Sequence, residues 1–161
     1  VEAVYKLLDK KYSGQVTMSH AGLKPKTRAA NECKFLSGEK SIMVETSAFG
    51  MGIDLDSVDL VIHFNMPLSL TDYIQQSGRA GRSGQKAHAI LLYSDEDYYT
   101  NLEILHDGHP TLRGMGQLDI MKEFCDDNEH CMAQLLLEHF GQKMKKSCKH
   151  CTVCQKNRRK K

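Results

Sequence analysis

Two arginines three residues apart, set among glycines, dominate the stretch Tyr73-Ile74-Gln75-Gln76-Ser77-Gly78-Arg79-Ala80-Gly81-Arg82-Ser83-Gly84. Glycine lets a backbone approach a ligand closely, and each guanidinium presents a planar, permanently charged fork that suits phosphate oxygens. A second small-residue stretch, Thr46-Ser47-Ala48-Phe49-Gly50-Met51-Gly52-Ile53-Asp54, follows a strand-like run. Gly50 and Gly52 there permit close approach of a nucleotide or a phosphate backbone, although the same residues also suit a tight turn that packs Phe49 and Met51. The arginine loop one strand later favours the phosphate reading. The chemistry implied is charge stabilisation on a phosphoryl group.

Six cysteines stand at 33, 125, 131, 148, 151 and 154. Cys148-x-x-Cys151-x-x-Cys154 is tight, and Cys131 lies upstream on what reads as the final helix. Four thiolates suit a closed, tetrahedral structural zinc site. A helix over residues 131–140 spans about 14 Å, so the following loop can fold back along it and bring three sulfurs to Cys131. Zinc binding in such modules contributes roughly 10–16 kcal/mol, enough to order a segment poor in apolar residues. His130, His150 and Cys125 are alternative ligands, and Cys33 reads as helix core. No H-E-x-x-H occurs to suggest a catalytic zinc.

Two further motifs carry less. Gly38-Glu39-Lys40-Ser41 lacks P-loop spacing and precedes a strand, whereas a phosphate cradle leads from strand into helix. Ser94-Asp95-Glu96-Asp97 ends an apolar strand and suggests magnesium-binding acids, but helix capping is the better account. The chain therefore has arginines for a nucleotide and no lysine loop to hold one.

These residues need a scaffold. Val4, Leu7 and Leu8 indicate a helix over residues 2–10, and Pro25 opens another, with Ala29, Ala30, Cys33, Phe35 and Leu36 as its apolar side. Residues 15–19, 41–45, 59–64 and 87–93 read as strands, with a helix at 70–77. This alternation predicts an α/β fold with a parallel sheet and flanking helices, in which ligands lie beyond the carboxyl ends of the strands. After Tyr93 the strands stop. Helices follow from Ser94 or Asp95 through Leu102, over 112–124 and over 129–140, with Gly141 as exit. The expected domains are residues 1–95 and 96–161.

Of 161 residues, 40% are hydrophobic and 26% charged, and the net charge is +2. That sum hides an asymmetry: residues 141–161 hold nine Lys or Arg and no acid, against a body near −7. A basic end on an acidic body suggests a nucleic-acid contact; for residues 158–161 a solvated, partly disordered end is the other reading. No run of about 18 apolar residues occurs, so no membrane-spanning helix is expected. The first six residues resemble neither a signal nor a transit peptide, and the chain starts inside an amphipathic pattern, as if cut from something longer.

Taken together, His20-Ala21-Gly22-Leu23, Val44 through Asp54, Val61-Ile62-His63, Gln75 through Gly84 and the four cysteines resemble the RecQ family of ATP-dependent DNA helicases, in superfamily 2. The resemblance covers nearly the whole chain. It implies a second RecA-like lobe, lacking its first strand, followed by a small helical zinc-binding subdomain. It implies ATP and Mg²⁺ bound between this lobe and a first RecA-like lobe, structural Zn²⁺, and 3′ to 5′ movement on DNA, including single strands and duplex junctions, in nucleus or nucleoid. By resemblance Arg82 is the arginine finger, with Arg79 and Gln75 supporting it; Gly50, Gly52 and Asp54 line the nucleotide side. His20, Gly22, Thr46 and Ser47 face DNA, and Cys131, Cys148, Cys151 and Cys154 hold the zinc. The chain departs from the family at Glu45 (usually Ala), Gln76 (usually Glu), Ser83 (usually Asp) and Met132-Ala133 (usually two arginines). Alone, lacking the first lobe, it is expected to hydrolyse no ATP. The rival readings are a non-enzymatic zinc-containing nucleic-acid adaptor and another superfamily 2 enzyme.

Overall fold

The computed structural model describes residues 1–46, 58–108 and 111–159, which fall into two compact units, Val1–Val58 and Asp59–Lys161. In the first unit, helix α1 (Glu2–Lys11) leads to strand β1 (Val16–Ser19), helix α2 (Pro25–Leu36) and strand β2 (Ile42–Glu45). The strands pair in parallel, Val16 opposite Ile42 and Ser19 opposite Glu45. Val16, Thr17 and Ser19 are buried. Pro25 opens α2, where its missing N–H is no loss, and Gly38 leaves with φ +77°, a left-handed turn that favours glycine.

Helix α2 meets β1 through polar groups. Asn31 Nδ2 donates to the Met18 carbonyl at 2.9 Å, and Ser19 Oγ donates to Glu32 Oε1 at 2.7 Å. Of the apolar side expected from the sequence, Phe35 is half-buried, while Ala29, Ala30, Cys33 and Leu36 are exposed. In particular Cys33, expected in a core, is exposed, because the sheet-facing side of α2 is taken by Asn31, Glu32 and Phe35.

The second unit opens with β3 (Leu60–His63), α3 (Leu70–Ser77) and β4 (His88–Leu91), and β3 and β4 are again parallel, Leu60 opposite His88. Four helices follow: α4 (Asp95–Asp107), α5 (Leu112–Asp126), α6 (Met132–His139) and α7 (Thr152–Arg159). The four strands lie where the alternation put them, shortened at their ends. Met66, Leu70 and Tyr73 pack with Leu118, Met121 and Phe124 in one core, so this core draws on residues from both sides of residue 95.

Asp97 locks that core. Its carboxylate is buried and accepts from Asn65 Nδ2 (2.6 Å), Met66 N (3.3 Å) and Ser94 N (3.1 Å). Asn101, one turn later, donates to the Met66 carbonyl at 2.8 Å. The acidic run after β4 is therefore a helix cap, as its position implied, and its last carboxylate, Asp97, also fixes the loop leaving β3. Replacing Asp97 with Ala leaves buried donors unanswered and should lower stability by about 2–3 kcal/mol. Asp95→Ala, at an exposed site, should leave the melting temperature essentially unchanged. Equal thermal shifts in the two variants would contradict this account.

Candidate metal centre and phosphate-facing loops

Ser69 caps α3: its Oγ accepts from Asp72 N at 3.1 Å and donates to the Asp72 carboxylate at 2.7 Å. The helix ends at Gly78, where a Cβ would stand 2.8 Å from the Ile74 carbonyl oxygen. Gly81 has φ +73°, and a Cβ there would meet the Gln85 carbonyl at 3.0 Å and Ala87 Cβ at 3.1 Å. These two glycines are thus dictated by space, and they frame the arginines. Arg79 is buried, and its Nε and Nη1 have no hydrogen-bond partner among the described residues. Buried donors ordinarily find acceptors, so a guanidinium held this way is suited to an incoming oxyanion. Arg82 and Gln75 are exposed on the same helix and loop. Ser83 Oγ contacts Gln85 across the turn.

Beneath this helix His63 ends β3, buried, with its ring 5.0 Å from that of Tyr73. Burial pushes its imidazole below the ordinary value of 6.5. The Gln76 side chain and the Ile90 backbone offset part of that, but neither ring nitrogen closes a hydrogen bond. From sequence alone His63 carries no role beyond the family match; its place at the end of a strand-like run before the arginine helix is the available signal.

In the first unit, His20, Gly22 and Thr46 lie just beyond the carboxyl ends of β1 and β2. Thr46 N donates to the Ser19 carbonyl at 3.3 Å, which sets its exposed side chain beside the loop after β1. Gly22 N donates to His20 Nδ1 at 3.2 Å, and a Cβ on Gly22 would press on that ring at 3.1 Å. His20 Nε2 lies 3.9 Å from a Glu2 carboxylate oxygen. Ser47, Gly50, Gly52 and Asp54 lie outside the described residues.

The four expected cysteines converge. The sulfurs of Cys131, Cys148, Cys151 and Cys154 all lie within 4.8 Å of one another, and Cys148 Sγ is 3.9 Å from Cys154 Sγ. With Zn–S bonds of about 2.3 Å, a tetrahedral site has S–S edges of about 3.8 Å, so the donor set fits zinc in kind, number and spacing. Backbone amides face the sulfurs: Cys148 N donates to Cys131 Sγ (3.2 Å), Cys151 N and His150 N to Cys148 Sγ (3.3 and 3.4 Å), and Cys154 N to Cys151 Sγ (3.5 Å). Lys149 turns the chain between them with φ +63°. The loop does fold back along α6, and Gln134 Nε2 donates to the Met144 carbonyl at 3.0 Å.

Two details differ from expectation. Cys131 is the N-cap of α6 rather than a residue within it, because Asp127 turns the preceding backbone by accepting from Glu129 N and His130 N. The basic end is not an irregular tail through residue 159. It forms α7, seeded by the cysteine turn, with Val153 buried. Helix propensity alone did not reveal it, since a short helix needs tertiary anchoring.

Burial pushes the Cys131 thiol up, but N–H donors from Cys148 and Gln134 and the adjacent thiols bring it down to about 6. Burial opposes ionisation of Cys151 too, and amides of Cys154 and Met132 again win and lower it. Desolvation and neighbouring thiols push Cys154 up to about 12. Four like charges need a cation to coexist, and Zn²⁺ supplies it. His130 is not among the donors: it is exposed, with Nδ1 2.8 Å from Asp127 Oδ2. The Asp127 carboxylate raises its pKa, while backbone and ring donors of His130 hold Asp127 down at about 2. Cys125 packs against the α3–α5 core, where burial pushes its thiol up to about 12. The exposed His150 contributes its amide to the sulfur turn.

The chain matches the helicase conserved C-terminal domain over residues 1–84 and the RecQ zinc-binding family over residues 96–155. It is 32% identical over 149 residues to the RecQ-like DNA helicase blm-1 of Caenorhabditis elegans, a match over 87% of this chain and 15% of that protein. To the ATP-dependent DNA helicase hus2/rqh1 of Schizosaccharomyces pombe it is 37% identical over 141 residues (84% and 11%). To the ATP-dependent DNA helicase RecQ of Bacillus subtilis it is 32% identical over 141 residues (86% and 24%). The chain thus spans less than a quarter of the length of each. Among solved structures, the C-terminal domain of the DEAD-box protein Dbp5 superposes with TM-score 0.50 at 23% identity, over 67% of this chain and 63% of that one. The yeast DEAD-box splicing factor Prp28 gives 0.53 at 24% identity, over 70% and 26%. At that identity the likeness concerns fold alone, a RecA-like helicase C-terminal domain.

Removing zinc with a strong chelator, or by Cys151→Ser, should raise hydrogen exchange across residues 127–159 while α3 and α5 stay protected, with native mass spectrometry following loss of one zinc per chain. Unchanged exchange after complete metal loss would contradict a structural role. The histidines supply a pH test. The lowered pKa of His63 means that its contribution to stability is present above pH 6.5 and is lost as pH falls through that lowered value. His130 is the reverse: its contribution is complete below 6.5 and lost as pH rises through the raised value. An NMR titration of the zinc-loaded chain, assigned with His63→Asn and His130→Asn, should find His63 below 6.5 and His130 above it; the opposite order would refute both assignments.

Proposed function

The chain belongs to the RecQ family of superfamily 2 helicases, as the C-terminal region of the helicase core with its zinc-binding segment, and from that membership we propose the following roles for its residues. Within a longer protein it acts in an ATP-dependent DNA helicase that moves 3′ to 5′. It supplies the second RecA-like lobe, residues 1–95, and the zinc subdomain, residues 96–161. A first RecA-like lobe of the same protein holds ATP and Mg²⁺, and Arg82 reaches the γ-phosphate as arginine finger. Arg79 and Gln75 support that contact, with Gly50, Gly52 and Asp54 on the nucleotide side. His20, Gly22, Thr46 and Ser47 contact the DNA strand. The setting is chromosomal, nucleus or nucleoid.

One observation carries the proposal: a buried Arg79 with Nε and Nη1 unanswered among the described residues, between Gly78 and Gly81, which leave no space for a side chain. An adaptor that only binds nucleic acid has no use for a guanidinium kept out of solvent beside an exposed one. Phosphoryl transfer is mostly charge stabilisation, and an arginine finger contributes about 10³–10⁵ in rate. Zinc, when bound by Cys131, Cys148, Cys151 and Cys154, supplies folding free energy and no chemistry at the nucleotide.

In a protein carrying both lobes, Arg82→Ala should leave ATP affinity within a few-fold while cutting DNA-stimulated hydrolysis by roughly 10³ or more. A near-normal rate would remove the finger assignment. The 161-residue chain by itself should show no steady ATP turnover, and turnover abolished by Arg82→Ala would overturn the need for a first lobe.

A further inference from the structure

We infer that His63 is a positioning residue for the arginine loop: its uncharged imidazole, seated under α3, holds the last turn of that helix through Gln76 and so sets where Arg79 stands. The inference rests on the reading above, in which Arg79 serves the nucleotide, and adds a residue that acts on it from beneath.

An apolar side chain would fill the place of His63 at less cost. The residue is 7% exposed, and both ring nitrogens lack a hydrogen-bond partner among the described residues, although burying a polar atom unanswered is unfavourable. Its surroundings are fixed. His63 stands opposite Leu91 in the β3–β4 pair, and Leu92 N donates to its carbonyl at 2.9 Å. The ring lies 5.0 Å from that of Tyr73, tilted by 52°, and Tyr73 lies 5.7 Å from Phe124. With the strand behind it and the aromatic pair beside it, the imidazole keeps freedom in its charge and its tautomer.

Gln76 connects this ring to the arginine. Its side chain reaches the imidazole closely enough to offset part of the effect of burial, and its carbonyl accepts from Arg79 N at 3.2 Å. A carboxamide carries both a donor and an acceptor, so it can answer a neutral imidazole in either tautomer, whereas an imidazolium only donates. The groups packed around the ring offer an imidazolium no opposite charge. Burial raises the pKa of the Tyr73 hydroxyl on α3, Cys125 on α5 is pushed up to about 12, and β4 presents the Ile90 backbone. Asp97 on α4 directs its oxygens to Asn65, Met66 and Ser94, and the cation just beyond α3 is Arg79 itself, of the same sign. Arg79 Nε and Nη1 take no aim from a partner among the described residues. The backbone turn that starts at Gln76 therefore sets the guanidinium, and a neutral His63 keeps that turn seated.

The test begins with the zinc-loaded chain, without nucleotide, followed by NMR over a pH series. The Arg79 Nε–H resonance should shift with the same midpoint as the His63 ring, below 6.5, and the shift should vanish in His63→Asn. Gln76→Glu, an isosteric change at a half-buried site, places a carboxylate beside the imidazole and should move both midpoints upward together by about one unit or more. In a protein carrying both lobes, His63→Asn should leave the KM for ATP within a few-fold, lower kcat of DNA-stimulated hydrolysis by roughly 10²-fold, as a misplaced catalytic group does, and remove the acid limb of its pH profile. An Arg79 resonance that ignores the His63 midpoint would overturn the inference, as would Gln76→Glu moving one midpoint without the other. So would a His63→Asn enzyme with wild-type kcat and acid limb. The finger assignment is judged separately, by Arg82→Ala hydrolysis, because the shared midpoint is read with no nucleotide present.

Discussion

A single buried carboxylate stands where sheet gives way to helices in the second unit. Asp97 accepts from the loop that leaves β3 and from the residue that caps α4. The start of α3 and the start of α4 are thus set relative to each other before any apolar contact is counted. The core then fills in around them, Leu70 and Tyr73 from one side and Leu118, Met121 and Phe124 from the other. Since α3 leads directly into Gly78 and Arg79, the placement of the arginine loop descends from that carboxylate. A buried charge with three donors tolerates little displacement, and that makes it a positioning device as well as a source of stability.

Much of this was legible in the sequence, for identifiable reasons. The parallel strands announced themselves as short apolar runs between helix-spaced segments, and the cysteine spacing allowed one economical arrangement of four sulfurs. Gly141 and Pro25 marked helix ends through their backbone preferences. What was not legible depended on tertiary anchoring. Helix α7 exists because a cysteine turn seeds it, and nothing in Thr152-Val153-Cys154-Gln155 announces a helix. Cys33 was placed in a core on the strength of a periodic apolar stripe, yet α2 meets its strand through Asn31 and Glu32. Periodicity finds an apolar side, but it cannot say which side a particular sheet receives.

Charge is segregated along the chain in a way that matches these structural roles. Acidic residues gather where they cap helices or pair with Lys122, as Asp95 and Asp126 do. Among the described residues the cations of residues 141–159 have no such partners. Cationic side chains fall into two environments: a buried, spatially constrained guanidinium at Arg79 and a dispersed exposed set over residues 143–159.

Lys149 holds a left-handed backbone, φ +63°, that costs a residue with a side chain about 1–2 kcal/mol. That conformation aims the amides of His150 and Cys151 at Cys148 Sγ. The turn therefore behaves like a sprung clasp. Its strain is held by the same contacts that start α7, the amides on Cys148 Sγ and the buried Val153, so the ligand turn and the helix that follows it stand or fall as one piece.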